Sequence, residues 1–362
     1  MRLDAHPHAA AVLGSALAQA PNHAYLLAGP AGSGKREAAR AFAAELLSRG
    51  ARDPDNARAR VHSGAHPDLT WVAPSGAAEM RRSDVSDAVV AAATHTPFES
   101  TRRIFVLERV DAMTDAAANT LLKTLEEPPS YVVLLLLTDR LGQVLPTIAS
   151  RCQPVRFDPA PPAALAARLQ DEGVPVPTAL ACARLSLGDG DRAALLATEA
   201  GAALRASAEA FVRAPAAQRP WRAVLEAGGV RAAVARAQLE RLRDEELDFL
   251  PAKDKRRKSS EYDERIRRAE RRVRTETIDH VLQLAGLWLR DVSCVTAGAA
   301  ELAHNADRAA ELAADAEGRS PAALREASEL IEDTRARLAF NVAEELALEA
   351  LAYRLERRLA ER

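Results

Sequence analysis

Cysteine is scarce in this chain of 362 residues. The three cysteines, Cys152, Cys182 and Cys294, lie far apart in the sequence. An odd number of widely separated cysteines forms neither a disulfide framework nor the four-thiolate cluster of a structural zinc site. We therefore expect free thiols and a reducing compartment.

Aromatic residues and long apolar runs are also rare. Phe, Trp and Tyr make up 4% of the chain. Ala, Leu, Arg and Glu dominate instead, which favours helix over sheet in most of the sequence. No run approaches the roughly 20 apolar residues of a membrane-spanning helix, and the N-terminus lacks the apolar core of a signal peptide. These absences predict a cytoplasmic protein without a membrane partner.

A strong excess of charge of one sign is missing as well. The formal net charge of -2 argues against a chain whose whole surface binds nucleic acid, but it leaves room for a local basic face. Residues 253–276 contain 11 Lys or Arg against 6 acidic residues. We interpret this basic segment as a solvated helix laced with salt bridges and preceded by a flexible loop. A surface that faces nucleic-acid phosphates is the alternative.

Short apolar runs alternate with helical segments between residues 20 and 157. Such alternation predicts a parallel β-sheet covered by helices on both faces, with ligands at the carboxyl ends of the strands. The predicted strands cover residues 23–28, 69–73, 103–107, 131–138 and 153–157.

The rest of the chain is predicted to be helical. A proline-rich stretch at 158–162 marks a boundary, a small helical unit follows to about residue 200, and long helices continue to the end. Residues 48–65 look like a polar connection. The final helix has an apolar stripe at helical spacing, formed by Leu338, Val342, Leu346, Ala350 and Tyr353.

A glycine-rich segment from Gly29 to Lys35 follows the first predicted strand and opens a helix. In this arrangement backbone N–H groups and a lysine surround phosphates, so the segment predicts a P-loop. Where a P-loop ATPase places a Ser or Thr hydroxyl on Mg²⁺, this chain has Arg36, which is no metal ligand. Lys35 and the loop amides remain able to bind phosphate without metal.

A second acidic position is altered as well. At the end of a later strand an ATPase of this kind needs Asp for the metal and then Glu for water, whereas this chain has Glu108 and Arg109. Two catalytic roles are thus damaged, and we expect a nucleotide-site scaffold that has lost hydrolysis. One alternative is an unusual ATPase in which Glu108 holds the metal and Asp111 replaces the base.

Three further segments are more specific: residues 115–129, the strand at 131–138, and residues 145–152, which include Ser-Arg-Cys at 150–152. Together with the P-loop they resemble the clamp loader subunits of DNA polymerase III, which are AAA+ proteins. The likeness is close across the P-loop domain and loose in the C-terminal helices. The delta-prime type fits best, because it keeps Ser-Arg-Cys while its nucleotide site is often degenerate.

This resemblance implies an α/β P-loop domain at 1–160, a small helical lid at 161–202 and an all-α collar at 203–362. It makes Arg151 an arginine finger that enters the ATP site of a neighbouring subunit. The implied partners are motor subunits of the gamma/tau type, a delta subunit, the sliding clamp and primed-template DNA. The degenerate nucleotide site would comprise Gly29, Gly32, Gly34, Lys35, Arg36, Glu108 and Arg109, with Thr138 as sensor 1 and Arg192 as sensor 2.

The family also commonly carries a four-cysteine zinc module between the P-loop helix and a His-Pro-Asp sequence, here at 66–68. Residues 48–65 contain no cysteine. His62 alone cannot replace four thiolates at a tetrahedral site. We therefore expect that zinc is absent, and no cofactor is assigned with certainty.

Overall fold

The chain folds into two compact units. The computed structural model describes residues 6–74, 80–248, 251–338 and 342–360. The first unit comprises residues 1–160 together with 188–190, and the second comprises 161–187 and 191–362. The division of the C-terminal half into a lid and a collar stays a prediction.

A five-stranded parallel sheet forms the centre of the first unit. The strands lie in the order β2-β3-β4-β1-β5, and every neighbouring pair is parallel. The predicted α/β fold is confirmed, because each predicted strand is present and pairs in parallel with its neighbours. The strands are β1 (Ala24–Ala28), β2 (Leu69–Val72), β3 (Arg103–Leu107), β4 (Val132–Thr138) and β5 (Gln153–Arg156).

Helices cover both faces of this sheet. One core joins alternate strand residues such as Val133 and Leu135 to Phe42, and the other joins Leu134 to Leu121. Burial on both faces explains why the strands are apolar at nearly every position. The helices are α1 (Pro7–Ala18), α2 (Lys35–Ser48), α3 (Pro54–Ser63), α4 (Arg82–Val85, continued by a π-helical segment at Ser86–Ala91), α5 (Asp115–Glu126) and α6 (Pro146–Ala149).

Helix α3 corrects the expectation of an irregular connection at residues 48–65. Asp53 caps the helix by accepting a hydrogen bond from the backbone N–H of Asn56 at 3.0 Å. Pro54 occupies the first helical position, where its missing N–H costs nothing. Local capping chemistry therefore makes a helix from a polar sequence whose buried residues are Ala57 and Val61.

The second unit is helical. Among the described residues, no helix combines the length and apolarity that crossing a bilayer requires. The helices are α7 (Pro162–Asp171), α8 (Val176–Leu185), α9 (Gly190–Leu196), α10 (Glu199–Arg213), α11 (Trp221–Asp248), α12 (Ala252–Thr296), α13 (Ala309–Ala316), α14 (Pro321–Leu338) and α15 (Glu344–Leu359).

Helix α12 contains the whole basic segment. The flexible loop expected before a helix is wrong, because the helix already begins at Ala252. Ion pairs run along and across it: Arg268 pairs with Glu264 one turn away, and Arg274 reaches Glu344 of α15 at 2.6 Å. These pairs agree with a solvated helix laced with salt bridges.

Of the apolar stripe predicted near the C-terminus, Leu338 is buried at the end of α14, but the other four residues are exposed. The helix is divided into α14 and α15, and α15 packs through Leu348, Leu351, Leu355 and Leu359. Leu346 is 67% exposed. Val342 and Tyr353 are exposed as well, although the Tyr353 ring lies 6.2 Å from that of Trp221. The sequence carries two apolar stripes at helical spacing, and packing against neighbouring helices decides which of them is buried.

A polar network is buried inside the second unit. Arg205 makes a two-pronged ion pair with Asp307 and also donates to Asn305 Oδ1 at 3.3 Å. Asp291 is fully buried and accepts the backbone N–H groups of His304 and Asn305 at 2.9 and 2.8 Å. Burial alone would raise the pKa of Asp291, but the hydrogen bonds from the side chains and backbone N–H groups of His304 and Asn305 outweigh burial and lower the pKa.

His280 of α12 makes the second unit sensitive to acid. Burial and the neighbouring guanidinium groups lower its pKa from 6.5 to about 3. A base with a depressed folded-state pKa stabilises the fold above pH 6.5, and this stability is lost as the pH falls below that value. The charged groups around it are Arg192, Arg231 and Arg335, which lower the pKa, and Asp279, which raises it.

Below pH 6.5, we expect His280 to lower the free energy of unfolding by about 1.4 kcal/mol for each pH unit. Replacing His280 with leucine should remove this part of the slope, because no proton is then taken up on unfolding. Urea unfolding at pH 7.5 and 5.5 measures it. His62→Leu, at an exposed histidine, is the control. Equal slopes in the two variants would contradict the assignment.

Candidate functional site

The P-loop lies where the sequence predicts it, between β1 and α2. The backbone N–H of Gly29 donates to the carbonyl of Thr138 at 3.3 Å, so the loop leaves the sheet beside the end of β4. Gly32 and Gly34 have φ of +64° and +81°, in the left-handed region that other residues avoid. These two glycines allow the tight turn that leads into α2.

Lys35 is already engaged by its own chain. The side chain is 6% exposed, and its ammonium donates to the carbonyl oxygens of Gly29 and Pro30 at 2.6 and 2.5 Å. It also forms an ion pair of 2.9 Å with the carboxylate of Asp139. The sequence did not single out Asp139, although its position directly after Thr138 at a strand end was a usable signal. The lysine that was predicted to bind phosphate is thus neutralised by its own chain.

Arg36 and Glu108 form an ion pair with each other. The pair joins two of the altered positions of the predicted nucleotide site. The other carboxylate oxygen of Glu108 accepts a hydrogen bond from the indole N–H of Trp71 at 2.7 Å. Both oxygens of this buried carboxylate therefore face donors. A metal ion would have to displace the guanidinium of Arg36.

Thr138 and Asp111 are also paired. The Thr138 hydroxyl donates to Asp111 Oδ1 at 2.8 Å and accepts the backbone N–H of Arg140 at 3.0 Å. Arg109 has a φ of 54°, an uncommon left-handed conformation for a residue with a side chain. The predicted sensor 1 and the alternative base thus contact each other at the end of the sheet.

Arg192 belongs to the second unit, at the start of α9. Its guanidinium donates to Gln283 Oε1 of α12 at 2.6 Å. This contact lies among the helices of that unit. The sensor 2 role of Arg192 stays a prediction from resemblance.

Arg151 lies at the surface just after α6. Its side chain is 37% exposed. One guanidinium nitrogen donates to the carbonyl of Thr147 at 2.9 Å and another to Glu126 Oε1 of α5 at 2.7 Å. The neighbouring Cys152 is buried, and burial raises the pKa of its thiol to about 12. A partly exposed arginine thus lies next to a buried cysteine.

No cluster of three or more metal-ligating side chains occurs at 6–74, 80–248, 251–338 or 342–360. The expected absence of zinc stays a prediction. The arrangement therefore combines a P-loop whose buried Lys35 is paired with Asp139 and a separate, partly exposed guanidinium, that of Arg151, which is paired with Glu126.

Comparison with known proteins agrees with the family resemblance. Residues 5–161 match the protein family described as "DNA polymerase III, delta subunit". The predicted resemblance is confirmed. The match covers less than half of this chain, and with the relatives below it shows similarity to clamp loader subunits of DNA polymerase III.

Two relatives are DNA polymerase III delta' subunits. That of Bacillus subtilis (strain 168) is 37% identical over 157 residues, which cover 42% of this chain and 47% of the relative. That of Pseudomonas aeruginosa is 42% identical over 135 residues, covering 36% and 41%. The DNA polymerase III subunit tau of B. subtilis is 35% identical over 145 residues, covering 38% and 24%. The match thus spans less than half the length of each relative.

Proposed function

We propose that this chain is a non-hydrolysing, delta-prime-type subunit of a bacterial DNA polymerase III clamp loader. In this role it supplies Arg151 to the ATP site of a neighbouring motor subunit. The observation that supports this most is the contrast between two cationic sites. Lys35 is buried and paired with Asp139. The guanidinium of Arg151 is partly exposed, and its partner Glu126 is a half-exposed carboxylate.

The chemistry of the proposed finger is electrostatic. A guanidinium supplied across an interface neutralises the charge that develops on the γ-phosphate, and its planar fork matches phosphate oxygens. The ion pair of Arg151 with Glu126 is half-exposed. Such pairs contribute about 0–1 kcal/mol. Arg151 can therefore exchange Glu126 for a phosphate oxygen at small cost.

The proposed partners follow from the family. They are motor subunits of the gamma/tau type, a delta subunit, the sliding clamp and, within the complex, primed-template DNA. In this account the chain acts as a stator in chromosome replication in the cytoplasm, and the C-terminal helices form the collar that joins the subunits. ATP chemistry takes place on the neighbour.

A motor-type ATPase is the second candidate, and the similarity to the tau subunit favours it. In that case Glu108 would hold the metal and Asp111 would act as the base. Catalysis would then require the Arg36–Glu108 pair and the Thr138–Asp111 hydrogen bond to open. A DNA-binding role for residues 253–276 has the weaker support, since several of their arginines are already paired.

Turnover assays separate the two candidates. We expect the isolated chain to hydrolyse no Mg-ATP above background, and its addition to gamma/tau-type motor and delta subunits to raise their turnover saturably. Glu108→Gln is the control, and it should leave this stimulation unchanged. Steady hydrolysis by the isolated chain, abolished by Glu108→Gln, would overturn the proposal in favour of the motor-type ATPase.

A further inference from the structure

The segment Gly188 to Gly190 belongs to the first unit, although the residues on either side of it belong to the second. Hydrogen bonds hold it at both ends. The backbone N–H of Gly190 donates to the carbonyl of Gly32 at 3.2 Å, and the N–H of Ala160 donates to the carbonyl of Gly188 at 3.1 Å. The segment is therefore attached directly to the P-loop.

Asp189, at the middle of this segment, lies against Gly32. A Cβ added at Gly32 would clash with the carboxylate of Asp189, because it would lie 1.7 and 2.6 Å from the two oxygens and 2.0 Å from the carboxyl carbon. P-loop glycines are needed because a phosphate approaches the backbone closely. In this chain a carboxylate makes the close approach.

A second carboxylate neutralises the loop lysine. Asp139 pairs with the buried ammonium of Lys35 at 2.9 Å. A P-loop normally uses this lysine and its backbone amides for an anion from outside. Asp139 and Asp189 come from distant parts of the sequence, and both carboxylates lie at the same loop.

We propose that the P-loop of this chain is a carboxylate site filled from within: Asp189 occupies the place of a phosphate at Gly32, and Asp139 takes its counter-ion, Lys35. The two aspartates thereby determine that the loop does not take a free phosphate or nucleotide. Arg36 and Glu108 stand at the positions that would hold the metal ion, so they explain a loss of metal binding. The two aspartates give a separate cause for the proposed loss of nucleotide chemistry, because they block the phosphate.

The physical basis is competition between anions. A carboxylate held on the same chain acts at an effective concentration of about 1 mM or more. A free phosphate must exceed that concentration to replace it. Both anions carry oxygen acceptors, but only the free phosphate loses translational and rotational entropy on binding. The carboxylate of Asp189 is already held near the loop, because its neighbours Gly188 and Gly190 are hydrogen-bonded in place.

The test measures pyrophosphate affinity of the full chain by calorimetry in metal-free buffer at constant ionic strength. We expect Asp189→Ala to bind inorganic pyrophosphate at least tenfold more tightly than the unaltered chain. Asp189→Asn keeps the shape and removes the charge, so it should also bind more tightly, and it decides the question if the alanine variant does not fold. Asp139→Asn in combination with Asp189→Asn should bind most tightly.

Asp191→Ala is the matched control, because Asp191 is an exposed carboxylate two residues away. It should bind pyrophosphate as the unaltered chain does. Equal pyrophosphate affinity in the unaltered chain and in Asp189→Asn, whether tight or undetectable, would overturn the proposal. Neither result bears on Arg151. If the carboxylate proposal is wrong, the proposed arginine finger is still tested separately by the turnover assays.

Discussion

Arg151→Ala is expected to lower ATP turnover at the adjoining motor site of an assembled clamp loader by about 10³–10⁵-fold, the usual worth of an arginine finger. Folding and assembly should be unaffected, because the side chain is partly exposed and its pair with Glu126 is weak. The total turnover of the complex falls only by the fraction that this one ATP site contributes. Single-turnover measurements on the complex therefore resolve the effect best.

Two variants sharpen this expectation. Arg151→Lys keeps the positive charge but loses the planar fork, and it should recover little of the rate. Arg168→Ala removes an exposed arginine that also pairs with a glutamate, Glu172, and it should leave turnover unchanged. Arg151→Ala with turnover equal to that of Arg168→Ala would remove the finger from the account.

Arg205→Met is expected to cost about 3–5 kcal/mol of unfolding free energy, because it leaves a buried carboxylate without its partner. Arg205 and Asp307 are 7% and 13% exposed and share a two-pronged ion pair. The change also removes a donor from Asn305. Urea unfolding followed by far-UV circular dichroism measures the loss in the helical second unit.

Comparison with a surface pair isolates the effect of burial. Arg168→Met breaks a pair whose side chains are both more than half exposed, and it should cost no more than about 1 kcal/mol. Adding Asp307→Leu to Arg205→Met should restore part of the stability, since the unpaired charge is then gone. A cost for Arg205→Met no larger than that for Arg168→Met would show that the network contributes little.

The sheet and the P-loop could be predicted from the sequence because their signals are local. Strands buried on both faces must be apolar at nearly every position, so runs such as Val132 to Leu137 stand out. The P-loop needs glycine at fixed positions, and Gly32 and Gly34 do adopt positive φ.

The interior of the site could not be predicted, because tertiary contacts create it. Asp139 and Asp189 are 50 positions apart and have no motif in common. Trp71 reaches Glu108 from a neighbouring strand. The buried face of α15 was misassigned for a related reason, since amphipathic periodicity gives the stripes of a helix but not the surface on which it packs.

The measurement that tests the central claim most directly is the position of Arg151 in a structure of the assembled clamp loader with a bound ATP analogue. We expect the guanidinium to have left Glu126 and to lie about 2.7–2.9 Å from an oxygen of the neighbour's γ-phosphate, a charge-assisted hydrogen bond. A guanidinium that still pairs with Glu126 or faces solvent, remote from any triphosphate, would contradict the account.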